Sequence, residues 1–196
     1  MPLPLALVAL LFVAGCVSMT GDRDVMPARA PDFTPAEIRQ TTLLIRLSLT
    51  TLADRRRQSV AADYEGALLD ALNERAVIVK DARVLADHER PPDTAAALAQ
   101  ARGLDADALI VVDVLLTSRR IAVCEDTRPR RIEIPLLAQK VEVLRTRDGA
   151  TRLRIVDGLE APMVEVDCDT GRARRRTVEE VVGTAAEKVV QGLLGP

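Results

Sequence analysis

The feature that most constrains the fold is the stretch Leu104–Thr117 near the middle of the chain, in which Asp113 interrupts a continuous apolar run. Apolar side chains fill both alternating sets of positions, which point to opposite faces when such a run is a strand. The run therefore predicts a central strand, buried on both faces of a sheet. The Asp113 carboxylate indicates either that the strand emerges into water there or that the charge is paired, and an active-site acid is the less favoured interpretation.

The residues before this run predict two strands and two helices. Alternation indicates a half-buried strand within Thr41–Thr51, and apolar residues at helical spacing indicate an amphipathic helix over Val60–Arg75. Asp54–Arg57, between them, is expected to be a polar loop. The short apolar run Ala76–Val79 predicts a strand buried on both faces, and Thr94–Arg102 predicts an Ala-rich helix.

The residues after the run predict an antiparallel meander. The central strand is expected to continue to Cys124, and Ile132–Leu144 alternates as one long strand with a bulge or an edge at Pro135. Asp148-Gly149 indicates a hairpin turn, because both residues tolerate positive φ. A return strand over Thr151–Asp157 follows it.

The chain ends with a short strand over Met163–Cys168 and an amphipathic helix that opens at the capping box Thr177-x-x-Glu180. Together the elements predict an α+β fold, a two-layer α/β sandwich with helices packed on a mixed, mostly antiparallel sheet.

Composition narrows the classes of function. The net charge of −2 argues against a nucleic-acid partner and against a polybasic membrane contact. Beyond residue 15 the only aromatic residues are Phe33 and Tyr64. Exposed rings on which sugars or bases stack are therefore not expected.

The N-terminal stretch Leu3–Cys16 resembles the lipobox signal of bacterial lipoproteins. It is an apolar run that ends in Val13-Ala14-Gly15-Cys16, and it is shorter than the roughly 20 residues of a membrane-spanning helix. The resemblance implies that residues 1–15 are a cleaved signal peptide and that Cys16 carries acyl chains such as palmitate. Val17, in place of Asp, implies sorting to the outer membrane, with the protein facing the periplasm. The alternatives are a secretory signal with an incidental cysteine and a buried N-terminal helix.

Residues 16–40 are predicted to be the lipidated cysteine and a flexible tether, because they carry three prolines and scattered charges without periodicity. Within them, Thr34-Pro35-Ala36-Glu37 indicates a short helix start. Residues 41–196 are expected to form a single α/β domain.

Two cysteines remain after Cys16, namely Cys124 and Cys168. In an oxidising compartment such a pair is expected to form a disulfide, here between strands of one meander. A reactive thiol is less favoured, because acidic neighbours flank both cysteines and disfavour the thiolate. A Cys/Asp metal site lacks a ligand-spacing signature.

No stretch has the pattern of a catalytic, metal or cofactor site, so none of these is expected. The single histidine, His88, lies in a polar loop. A possible partner surface is the group of arginines before the last helix, for which a solvated loop is the alternative: Arg172, Arg174, Arg175 and Arg176.

The element order, together with Ala99–Val112 (AQARGLDADALIVV), resembles one group of envelope proteins. This group is the α/β domain shared by the curli secretion lipoprotein CsgG, the penicillin-binding-protein activator LpoB and the N-terminal domain of TolB. The resemblance implies this fold over Thr41–Leu194 and an envelope compartment, and it adds some support for a protein partner. Asp113 stands where the group usually has glycine.

These features predict an outer-membrane-anchored periplasmic lipoprotein that is not an enzyme. It would serve as a binding or accessory subunit of an envelope assembly, transport or cell-wall system, with an envelope protein as partner. The alternative is a periplasmic hydrolase with an unrecognised active site, for which His88, Asp113 and Ser118 are the residues to test.

Overall fold

A computed structural model describes residues 28–49, 54–86, 94–124 and 130–195. The strands are β1 (Ala28–Arg29), β2 (Gln40–Ser48), β3 (Ile78–Ala86), β4 (Ala108–Val123), β5 (Arg130–Arg145), β6 (Thr151–Ile155), β7 (Ala161–Pro162), β8 (Val164–Val166) and β9 (Ala173–Arg175). The helices are a 3-10 turn (Pro35–Ile38), α1 (Asp54–Asn73), α2 (Thr94–Gly103) and α3 (Val178–Leu194). Among these described residues, no helix combines the length and the apolar character needed to cross a bilayer.

Seven strands form one mixed sheet in the order β1-β6-β5-β4-β2-β3, with β7 paired to β5 farther along that strand. Strand β2 pairs in parallel with β3 and β4, and the other pairs are antiparallel. Strands β8 and β9 form a separate two-stranded hairpin. The predicted α+β fold, with helices on a mixed, mostly antiparallel sheet, is confirmed.

Strand β4 lies between β2 and β5, as its two sets of apolar residues predict. Ile110, Val112 and Val114 belong to the larger core, which α1 and α3 cover. Leu109 and Val111 belong to a smaller core under α2, on the opposite face. Helix α2 therefore adds a partial third layer to the sandwich.

Helix α3 begins at the predicted capping box. Thr177 Oγ1 accepts from the Glu180 N–H at 3.2 Å, and the Glu180 carboxylate accepts from the Thr177 N–H at 2.7 Å. Near the other end of the helix, a Cβ at Gly192 would come within 2.7 Å of Ile155 Cδ1 on β6. Glycine at this position lets α3 lie close against the sheet.

A buried amide joins α1 and α3 to β5. Gln139 Nε2 donates to the carbonyl oxygens of Leu159 at 2.6 Å and Ala185 at 3.1 Å. Gln139 Oε1 accepts from the Tyr64 hydroxyl, and burial raises the pKa of that hydroxyl above its ordinary value. Both N–H groups of the buried Gln139 amide therefore have an acceptor in the core.

Two predictions for the first half of the chain are wrong. Asp54–Arg57 forms the first turn of α1 rather than a loop, and the Arg57 side chain is buried there. The run Ala76–Val79 leads into β3, which is an edge strand and is not buried on both faces. Val77 is 3% exposed but Ile78 is 61% exposed.

Strand β5 is one long strand, as predicted, but it has no bulge at Pro135. Its pairing with β4 is unbroken, and Pro135 lies opposite Ser118. The Pro135 carbonyl accepts from the Met163 N–H at 2.9 Å on the other side of the strand. Because the nitrogen and the carbonyl of one residue point to the same side of an antiparallel pair, the missing N–H of Pro135 removes no bond to β4.

The predicted tether, 16–40, extends too far, and the predicted domain start at residue 41 is too late. From Ala28 onward the chain packs on the domain, because β1 pairs with β6 and both Phe33 and Ile38 are buried. Pro31 and Pro35, which suggested a flexible segment, instead belong to a strap, residues 28–39, along the sheet edge.

Arg152 on β6 holds this strap. Its guanidinium donates to the two Glu37 oxygens at 2.8 and 3.0 Å and pairs with Asp32 at 2.9 Å. The hydrogen bond from Arg152 lowers the pKa of the Glu37 carboxyl below its usual value. Glu37 also accepts from the Thr34 N–H at 3.1 Å, which completes the predicted helix start.

We predict that Glu37→Gln lowers the free energy of unfolding by more at pH 7 than at pH 3. A depressed folded-state pKa means that the charge stabilises the fold above the unfolded-state pKa of about 4.3, and that this contribution is lost as the pH falls through the folded pKa. The amide can still cap Thr34, so the variant removes mainly the charge. Urea unfolding at both pH values, with exposed Glu74→Gln as the control, measures the difference. An equal loss of stability at the two pH values would contradict a stabilising ion pair between Arg152 and Glu37.

Candidate functional site

The candidate site is a cleft on the face of the sheet that carries α2. Helix α2 has 10 residues, so it is about 15 Å long and covers only the first part of β4. Beyond its end the same face is open, and a cleft of about 410 Å³ lies there. Strands β2 to β5 and the residues after β6 line it, among them Arg46, Leu85, Asp113, Leu115, Lys140 and Val156.

A row of charges crosses the floor of this cleft. Arg46 on β2 lies opposite Asp113 on β4, and Asp113 lies opposite Lys140 on β5. Arg46 Nε and Nη2 donate to the two carboxylate oxygens at 2.5 and 2.7 Å, which is a bidentate pair. The pair therefore fixes the direction of the guanidinium, while Lys140 has no ion pair within the described residues.

The Arg46–Asp113 pair contributes little to stability. Its side chains are 32% and 45% exposed, and pairs this open to solvent contribute about 0–1 kcal/mol. The Asp113 charge is paired, which is one of the two interpretations that the sequence favoured. The pair thus holds fixed charges at the surface of the cleft.

Apolar side chains flank the row of charges. Leu115 is 48% exposed and Val156 is 40% exposed, whereas Leu109, on the same face of β4 but beneath α2, is 1% exposed. The cleft therefore lies where α2 ends, because β4 continues beyond the helix with apolar side chains on the same face. Exposed apolar groups around a few fixed polar groups are the usual lining of a binding site.

The predicted disulfide is present, with the Cα atoms of Cys124 and Cys168 5.1 Å apart. Cys124 follows β4 at the tip of the long β4–β5 arm, and Cys168 lies in the turn of the β8–β9 hairpin. The expectation that both belong to one meander is wrong, because β8 pairs only with β9 in a separate sheet. The bond joins that hairpin to the arm. At a sequence separation of 44, it stabilises the fold by about 4 kcal/mol on the chain-entropy model.

The four arginines of the possible partner surface lie in and beside β9 of the hairpin rather than in a loop. Arg174 donates to two glutamates, at 2.8 and 3.0 Å, and Arg176 donates to two backbone carbonyl groups. Arg172 and Arg175 are exposed and make no ion pair with any described residue. Only half of the predicted surface is therefore available to a partner.

Of the three residues named for a hydrolase, the structure describes Asp113 and Ser118 and does not bring these two together. Asp113 and Ser118 are an odd number of positions apart on β4, so their side chains point to opposite faces. Ser118 Oγ donates to Glu133 at 2.8 Å. His88 and the predicted lipidation site Cys16 lie outside the described residues. Within the described ranges, no three His, Cys, Asp or Glu side chains lie close enough to hold a metal ion.

Sequence reasoning missed the cleft. One signal was present, because Asp113 interrupts an apolar run and Arg46 is a polar member of an alternating strand. The sequence does not align these two positions with Lys140, however. Their alignment follows from the register between strands that are distant in the chain.

The chain matches no protein-family model and no curated protein sequence. Solved structures similar to it include the PelC dodecamer from Paraburkholderia phytofirmans, at 14% identity over 87% of this chain and 96% of that chain, with a TM-score of 0.43. A putative neuraminyllactose-binding hemagglutinin homolog from Helicobacter pylori is 13% identical over 77% of this chain and 81% of that chain, with a TM-score of 0.38. A minor lipoprotein from Acinetobacter baumannii is 14% identical over 79% of this chain and 91% of that chain, with a TM-score of 0.32.

We predict that Leu109→Ala and Leu115→Ala differ sharply in their effect on stability, although both lie on the same face of β4. Leu109→Ala leaves a cavity under α2 and is expected to cost about 2–5 kcal/mol. Leu115→Ala removes a side chain that is half solvated and is expected to cost less than about 1 kcal/mol. Urea unfolding of the two variants measures the difference. Equal losses would mean that the cleft is closed in solution.

Proposed function

We propose that this protein is a bacterial envelope lipoprotein, held in the outer membrane by acyl chains on Cys16, that binds a partner in the periplasm without catalysing a reaction. The stretch Leu3–Cys16 carries the proposal. It combines an apolar segment shorter than a membrane span with small residues directly before a cysteine. The partner is an envelope protein, and the domain acts as an accessory subunit of an assembly, transport or cell-wall system.

The length of chain between Cys16 and β1 supports an anchored domain that works near the membrane surface. Residues 17–27 form the connection, and a flexible segment of that length has an r.m.s. reach of about 20 Å. A lipidated cysteine supplies more than the two hydrophobic chains that stable attachment requires. The domain is thus held within a short distance of the surface.

The cleft supports a binding role better than it supports hydrolysis. On the floor of the cleft, Arg46 and Asp113 form an ion pair with each other. The Ser118 hydroxyl lies on the other face of the sheet. Lys140 and the exposed Leu115 and Val156 offer one charge and an apolar floor to a partner. A charge beside apolar groups can orient and bind a partner, and it does not supply a nucleophile for hydrolysis.

We predict that Cys16→Ser abolishes incorporation of labelled palmitate and releases the protein from the outer-membrane fraction, because the thioether that holds the acyl chains cannot form. Ser18→Ala, two residues farther along, is the matched control and is expected to retain both properties. Metabolic labelling and membrane fractionation in a Gram-negative host measure the outcome. Labelling that persists in Cys16→Ser, or a wild-type chain found only in the soluble periplasmic fraction, would contradict the anchor.

A further inference from the structure

The end of the domain that carries the disulfide is rich in arginine. Segments 116–137 and 163–176 contain nine arginines and six acidic residues, in a chain whose net charge is −2. Some of these arginines are held by glutamates of the same domain. Four others are exposed and make no ion pair with any described residue; they form the arginine tip: Arg120, Arg131, Arg172 and Arg175.

The disulfide brings the two parts of the arginine tip together. Arg131 on β5 lies opposite Ala122, which is two residues before Cys124. The Arg172 carbonyl accepts from the Asp167 N–H, next to Cys168. Because the two bonded cysteines have Cα atoms 5.1 Å apart, the bond holds the arm near Arg131 beside the hairpin near Arg172.

We propose that the arginine tip is a docking site for an acidic segment of a partner protein. A guanidinium donates two parallel N–H bonds to a carboxylate, and this match is closer than the one a lysine ammonium can make. Among the described residues, none of the four guanidinium groups has an ion pair that binding would have to break. The two segments contain no aromatic residue, so they lack a stacking platform for sugars, and this favours a protein over a polysaccharide.

The position of the tip disfavours contact with the membrane, a step that rests on the proposed anchor. Ala28, where the connection from Cys16 enters, lies opposite Arg154, and Arg154 lies opposite Glu142 on β5. From Glu142 to Arg130, at the far end of β5, is about 40 Å along the strand. Only nearly full extension of residues 17–27 would cover that distance, so the tip is expected to point into the periplasm.

The test measures binding of the full oxidised chain, in detergent, to immobilised poly-L-glutamate at low ionic strength. Arg131→Glu/Arg172→Glu is expected to weaken binding about tenfold or more, because two attractive charges become repulsive. The control Arg39→Glu/Arg147→Glu reverses two exposed charges at the opposite end of the sheet and is expected to change binding less than about twofold. Reduction of the Cys124–Cys168 bond is also expected to weaken binding, because the two parts of the tip separate. Circular dichroism checks that each variant is folded.

Three results would overturn the proposal. The first is an equal loss of binding in both double variants, or no binding of poly-L-glutamate by the oxidised chain. The second is tighter binding of polygalacturonate, which would indicate a polysaccharide site. The third is tighter binding of phosphatidylglycerol vesicles, which would indicate membrane contact. The binding assay to poly-L-glutamate contains no bilayer, so its failure leaves the lipid anchor at Cys16 to its own test.

Discussion

The burial of β4 on both faces is the constraint on which the rest of the fold depends. One face carries Ile110 and Val112 against α1 and α3, and the other carries Leu109 and Val111 against α2. Strand β4 has 16 residues, about 53 Å, whereas α2 is about 15 Å long. The second face therefore cannot be covered along its whole length, and the cleft begins where the cover ends.

Local signals in the sequence were sufficient for the elements whose causes are local. The capping box at Thr177 placed the start of α3, and the two-sided apolar run placed β4 at the centre of the sheet. A short apolar run such as Ala76–Val79 has the same composition in a central strand and in an edge strand, so its position depends on what the remaining strands leave uncovered. For the same reason the packed strap from Ala28 resembled a tether.

Features that depend on register could not be predicted from the sequence. The row of charges from Arg46 through Asp113 to Lys140 exists only because β2 and β5 pair with β4 in one alignment, and a shift by one residue would turn these side chains to the other face. The disulfide was easier to predict, because an even number of cysteines suffices. The position of Cys168 in a separate hairpin was not predicted. This hairpin, β8–β9, is held to the arm by the disulfide itself, and no local signal in the sequence indicates that arrangement.

The domain places its two candidate binding surfaces at different distances from the proposed anchor. The cleft lies beside the end of β6, near the strand where the strap enters, and the arginine tip lies at the far end of the β4–β5 arm. The two surfaces also differ in chemistry. The cleft offers apolar groups with a neutralised charge pair, and the tip offers arginines that make no ion pair with a described residue.

The binding role of the cleft is tested most directly by site-specific photocrosslinking in cells. p-Benzoylphenylalanine replaces Leu115 in the cleft or, as the control, Ala62 on the exposed side of α1. Binding at the uncovered face of β4 predicts a discrete crosslink to one envelope protein from position 115 and none from position 62. Crosslinks of equal intensity from both positions, or none from position 115, would contradict it.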